Sequence, residues 1–166
     1  MKADRLNKNS AQYVALKKEQ LNEYQALADA AGTVAENTSI VVFTADASTS
    51  RVITMPLALA GRHVKFLWQV EQATSDRVLT RAASDDFVGQ INCSVQGDAA
   101  GDGDVLSVTD GTVAITIVDD VNIGSEVNIY CAVDGQWIVT GHITYDAVGS
   151  VSYTHLLAHE TVLDLV

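Results

Sequence analysis

Short runs of β-branched residues recur from residue 38 to residue 154, and the gaps between them are too short and too polar to hold a helix. That pattern limits the fold more than any other feature of the chain. Ser39-Ile40-Val41-Val42-Phe43-Thr44 and Arg51-Val52-Ile53-Thr54-Met55 flank the polar turn Asp46 to Ser50, and His63-Val64-Lys65-Phe66-Leu67-Trp68 follows Gly61. Apolar and polar residues alternate in Ile91-Asn92-Cys93-Ser94-Val95, as a strand with one buried face requires. Val113, Ile115 and Ile117 alternate with Thr112, Ala114 and Thr116. Val127, Ile129, Cys131 and Val133 share a side, with Asn128 and Tyr130 opposite. Trp137-Ile138-Val139 then leads into His142-Ile143-Thr144-Tyr145. Turn residues stand at Gly97, Asp110-Gly111, Gly124, Asp134-Gly135 and Gly149, and the two Asp-Gly steps read as hairpin turns. With no crossover helix available, a parallel α/β sheet is disfavoured. The expected fold is all-β, an antiparallel sandwich or barrel of jelly-roll-like form over 38–154.

The two ends differ from this body. Residues 1–31 are polar and helix-prone: Val14, Leu21 and Ala28 recur every seven residues, with Tyr24 and Leu27 near the same side. The spacing predicts an amphipathic helix over Ser10–Ala31, capped by Ser10 and Gly32, or else an extended arm. Residues 155–166 close the chain with Leu156, Leu157, Val162, Leu163, Leu165 and Val166, too apolar for a solvated terminus. Both ends are expected to dock, on the parent domain or on a neighbour.

Charge divides the chain in the same way. Lys2, Arg5, Lys8, Lys17 and Lys18 face only Asp4, Glu19 and Glu23 in the first 25 residues, whereas no Lys or Arg follows residue 81 in a chain of net charge −11. Phosphate backbones are repelled by such a body, so no nucleic-acid partner is expected. Apolar runs fall short of a membrane span, and the basic N-terminal stretch lacks the apolar core of a secretory signal. Neither a membrane partner nor secretion is expected.

Few residues are arranged for chemistry. Cys93 and Cys131 sit on apolar strand faces and read as buried thiols, with a mutual disulfide as the alternative. His155 and His159 are four apart before Glu160, but Leu156 stands where a zinc-protease motif needs glutamate. His63 and His142 are isolated in strands. Asp98, Asp102 and Asp104 lie among glycines and form the one candidate for Ca²⁺, although their spacing matches no known loop. Asp119-Asp120 reads as a solvated acidic pair. No nucleophile motif, phosphate loop or dinucleotide fingerprint is present, and ten aromatic residues are few for a glycosidase cleft. The expectation is a protein without catalytic residues, cofactor or metal.

Three segments carry a family likeness. Val52-Ile53-Thr54-Met55-Pro56-Leu57-Ala58-Leu59-Ala60-Gly61 is similar to a "VTLP-x-A-x-x-G" step, with Met55 where leucine is usual. Asp86-Phe87-Val88-Gly89, taken as a turn, follows. Gly124-x-x-Val127 then leads to Asp134-Gly135-x-Trp137-x-Val139-x-Gly141. Residues 38–146 thereby resemble the capsid decoration, or cement, proteins of tailed bacteriophages, of the kind seen in phages of cyanobacteria and marine bacteria; the helix-prone first zone is outside the shared pattern. The resemblance implies a homotrimer on the outer surface of the virion head, made in the host cytoplasm, whose partner is the major capsid protein and which stabilises capsomer junctions. Lys2, Arg5, Lys8, Lys17, Lys18, Leu163 and Leu165 are the expected capsid contacts. The alternatives are a head-fibre, tail-fibre or baseplate protein that binds host glycans, and a Ca²⁺-dependent carbohydrate-binding module.

Overall fold

A computed structural model describes residues 24–95 and 104–145 and the backbone of 151–155. Eleven strands form one sheet and no helix occurs among the described residues: β1 (Tyr24–Leu27), β2 (Gly32–Thr33), β3 (Ile40–Phe43), β4 (Arg51–Thr54), β5 (His63–Trp68), β6 (Arg77–Thr80), β7 (Asp86–Val95), β8 (Asp104–Ile117), β9 (Glu126–Val133), β10 (Gln136–Tyr145) and β11 (Val151–His155). Ten of them follow the order β1-β3-β5-β9-β10-β7-β8-β6-β4-β2, and β11 pairs with β8. The first and last strands of that path, β1 and β2, are sequence neighbours, so the sheet curls until its ends almost meet. Gln25 joins them: its Nε2 donates to Thr33 O at 3.0 Å, and its Oε1 accepts from Ala35 N at 3.1 Å. The all-β, barrel-like sandwich expected from the sequence is therefore present.

Pairing is mixed rather than antiparallel throughout. Five of the ten ladders are parallel and five antiparallel. Four of the parallel ladders arise because β1, β3 and β5 lie in one part of the sheet and β2, β4 and β6 in the other, and the chain crosses between them at every connection; the fifth joins β10 to β7. Parallel neighbours need a long crossover, and here a strand of the opposite layer supplies it in place of a helix. Turn spacing along the sequence cannot distinguish such a crossing from a hairpin.

Alternation sets what is buried. In β5, Val64, Phe66 and Trp68 point inward and His63, Lys65 and Leu67 outward. Phe43 and Phe66 stack at 6.0 Å between ring centroids, and Trp68 tilts onto Phe43 at 4.8 Å. These join Ile53, Leu79, Ile115, Ile117 and Trp137 in one closed cluster. Full burial of each such side chain contributes about 1.5–3 kcal/mol.

Several local expectations are corrected. Tyr24–Leu27 is a strand parallel to β3, with Gln25 and Leu27 turned in and Tyr24 and Ala26 turned out, so helix does not reach it; Gly32, expected as a helix cap, opens β2. Tertiary pairing overrides the local propensity here. The barrel thus starts at Tyr24, not at residue 38, and residues 10–23 of the expected helix lie outside the described residues. Asp110-Gly111 is not a hairpin turn. It sits inside β8, where Gly111 has φ +84° and the register with β7 shifts between Phe87 and Gly89. This bulge bends β8 so that its first half pairs with β7 and its second half with β6 and β11. Asp86–Gly89 is the start of β7, not a turn. Gly89 is required there: a Cβ would stand 2.0 Å from Val139 O of the parallel strand β10. Asp134-Gly135 does form the expected turn, between β9 and β10.

Candidate functional site

One end of the barrel is organised by the segment after β4. Met55 N makes a last ladder bond to Thr80 O at 2.8 Å, and Pro56, which has no N–H, ends the strand. Met55 and Ala58 turn into the core, while Leu57 and Leu59 stand out, each 46% exposed. Gly61, at φ +86°, turns the chain into β5 and donates to Cys131 O at 2.8 Å.

Two other segments hold this one. The buried carboxylate of Asp85 accepts from Ala58 N at 2.7 Å, and Asp134 Oδ1 accepts from Ala60 N at 2.7 Å. Gly135 N donates to Ala58 O and Asp86 N to Gly135 O, both at 2.9 Å. Arg81 Nη1 reaches Asp86 Oδ1 at 2.9 Å and Asp85 O at 3.0 Å. The structure thus brings together residues 55–61, 85–89 and 134–139, which are far apart in sequence. Val133 is 68% exposed and Tyr130 39%, so with Leu57 and Leu59 four exposed apolar residues lie on the segments that lead into this end. Four exposed apolar side chains on a fixed backbone suit contact with another surface.

The opposite end is polar and closed. Arg77 has no exposed surface; Nη2 donates to Ala45 O at 2.8 Å, Nε to Gln72 Oε1 at 3.3 Å, and its guanidinium lies 4.7 Å from the Phe43 ring centre. Burial pushes its pKa down from the usual arginine value. Trp68 Nε1 also donates to Gln72 Oε1, at 3.1 Å. Nearby, Asp29 pairs with Arg51 at 2.7 Å and accepts from Ser48 Oγ at 2.6 Å; these two bonds, Arg51's first, hold its carboxyl well below the usual range. Arg77 and Gln72 pin the loops after β1, β3 and β5 to one another.

A third polar group lies on the outer sheet face. Ser94 Oγ and Thr144 Oγ1 stand 3.4 and 3.3 Å from His142 Nε2, with Glu126 opposite His142 in the β9–β10 register. His142 is exposed, and Ser94, Thr144 and Glu126 are half-buried on the outward side of their strands.

The residues singled out in the sequence are distributed as follows. Lys2, Arg5, Lys8, Lys17, Lys18, Leu163 and Leu165 lie outside the described residues, as do Asp98, Asp102 and His159. Asp104 opens β8 opposite Cys93. His155 ends β11, so it belongs to a strand and not to a helical pair. Cys93 and Cys131 are not joined in a disulfide. The registers set Cys131 opposite Trp137 and Cys93 opposite Ile143, about 20 Å apart along β10, which excludes the disulfide. Burial pushes the Cys131 thiol up. Trp68 and Trp137 are inside, and Tyr24 and Tyr130 are exposed, Tyr130 on the side opposite Cys131 that the alternation gave it. Val133, expected to face inward with Cys131, has left the strand alternation at the turn. Sequence reasoning missed Asp85 and Arg77. Asp85 had a usable signal, an acidic residue before a strand with two consecutive carboxylates; Arg77 had none.

No family model, curated protein or solved structure matches the chain.

Proposed function

We propose that the chain is a structural protein of a tailed-phage virion, a decoration protein that binds the outside of the head as a homotrimer and has no catalytic role. The observation that carries this is the set of exposed apolar residues Leu57, Leu59, Tyr130 and Val133, on the segments leading into the end held by the same three stretches whose sequence resembles such proteins. β11 runs toward this end, since His155 pairs with Thr112 beside the start of β7. The apolar tail with Leu163 and Leu165 therefore follows from the same side. The head contacts are this end, the tail and the basic first segment, whose first three cations are Lys2, Arg5 and Lys8. A part that engages several capsid subunits at once gains avidity without any single strong contact.

The mass in solution tests this first. Light scattering is expected to give about 53 kDa, three chains of 17.7 kDa, unchanged by EDTA. Leu57→Asp with Val133→Asp is then expected to weaken binding to undecorated heads by at least about tenfold without lowering the melting temperature. A monomer that loosens when calcium is removed would overturn the proposal in favour of a carbohydrate-binding module.

A further inference from the structure

The outer face of β1, β3 and β5 carries a groove of about 480 Å³ lined by Tyr24, Val42, Leu67, Trp68 and Ile123. A solvated sheet face ordinarily shows polar side chains outward. Here Tyr24 is 54% exposed, Ile40 37% and Ile123 67%, in a part of the fold where nothing else among the described residues lies over them. One end of the groove has an acidic rim. The Gln72–Val121 bridge and the bond from Gly124 N to Trp68 O at 2.9 Å hold residues 68–72 beside 121–124, which sets Glu71, Asp119 and Asp120 near Ile123. None of these three carboxylates forms an ion pair among the described residues.

We propose that residues 10–23 of the same chain occupy this groove. Tyr24 both lines the groove and joins directly to that segment, so the segment meets the face at a high effective concentration. Its apolar residues Val14 and Leu21 are seven apart, and Lys17 and Lys18 lie three and four positions from Val14. As a helix, the segment sets Val14 and Leu21 on one face with the two lysines at its margins. Lysine stems then cover the apolar border while their ammonium groups reach the acidic rim. Length suffices as well: 14 residues as a helix reach about 21 Å, more than the about 10 Å needed to cross β1, β3 and β5. The docking stands whether or not the chain belongs to a virion. It assigns Lys17 and Lys18 to the chain's own rim and leaves Lys2, Arg5 and Lys8 for an outside surface.

The test uses the full chain with Leu21→Cys and Leu67→Cys, oxidised and run on a denaturing, non-reducing gel beside each single variant. A cross-link within one chain, absent from both single variants, is the expected result. A cross-link between chains would overturn the proposal and hand the groove to a neighbour's segment, and no cross-link would overturn it outright. Should the double variant fail to fold, trypsin digestion of the unaltered protein decides. Cleavage after Lys17 and Lys18 is expected to be about tenfold slower than after Lys2, Arg5 and Lys8. Ile123→Asp, at a position 67% exposed and so compatible with folding, is expected to remove that protection. Equal cleavage at all five sites would overturn the proposal.

Discussion

Two adjoining halves of one sheet surface present opposite chemistry to the outside. From β1, β3 and β5 the outward residues are mostly apolar, Tyr24, Ala26, Ile40, Val42 and Leu67, with His63 and Lys65 on the border strand; from β9, β10 and β7 they are mostly polar, Glu126, Asn128, Thr140, His142, Asn92 and Ser94, with Tyr130 and Ile138 as apolar exceptions. Beneath both runs the same kind of closed core, with Phe43, Phe66 and Trp68 on one side and Trp137, Val139 and Ile91 on the other. The inward pattern is therefore what folding demands, and it is equal in the two halves. The outward pattern is free of that demand and differs between the halves, which is what the proposed docking of residues 10–23 would account for. Lys65 and Glu126, joined across β5 and β9, mark the boundary between them.

The largest expected effect breaks the polar half from within. Gly89→Ala puts a Cβ against Val139 O at a φ of +139°, and it is expected to cost on the order of 4 kcal/mol or to prevent folding, read by urea denaturation. A next step sets the two halves side by side. Leu67→Thr on the apolar half is expected to lose about 1.5 kcal/mol, whereas the opposite exchange Thr140→Val on the polar half stays within about 0.5 kcal/mol. Equal effects would mean that both faces are equally solvated. Tyr145 shows a cost inside the polar half: its hydroxyl is buried without a hydrogen-bond partner among the described residues, and burial pushes its pKa well above the usual tyrosine value. Tyr145→Phe removes that hydroxyl, and a gain of about 1 kcal/mol is expected. Loss of stability would reveal a partner for the oxygen.

The smallest effect concerns the apolar half's own end. Arg51 and Ser48 hold the Asp29 carboxyl below its usual range, so the unfolded chain takes up that proton first as pH falls. The resulting stability is complete above the ordinary carboxylate range and is lost as pH falls from there toward the folded value. Asp29→Asn is expected to flatten the melting temperature's dependence on pH below about 4, with no change near neutrality in its slope. An unaltered acid limb would assign that slope to other carboxylates.

Legibility varied with how local each cause was. The strand His63–Trp68 could be read to the residue because its alternation is complete and Gly61 precedes it. β6 could not, since Arg77-Val78-Leu79-Thr80 spends an arginine on an inward position, made tolerable only by Ala45 O, Gln72 and the Phe43 ring. Tyr24–Leu27 carried a helix-like spacing and became a strand because β3 offered it a parallel partner. At the end surface, Leu57 and Leu59 stood in a motif that was visible as sequence, yet nothing in it announced that Asp85 and Asp134 would grip the backbone between them.

By itself the sequence determined the all-β class, the inward positions of the strands it could recognise, the turn at Asp134-Gly135 and the separation of an acidic body from a basic first segment. These depend on period-two alternation, turn chemistry and charge, which act over a few residues. Tertiary structure alone decided the parallel pairing of β1, β3 and β5, the bend of β8 at Gly111, the distance between the two thiols and the meeting of three remote segments at one end. Each of those depends on which strand lies beside which, and hydrogen bonds between strands are the same whatever residues make them. Only closure of the whole sheet around its core selects among the pairings that local pattern leaves equal.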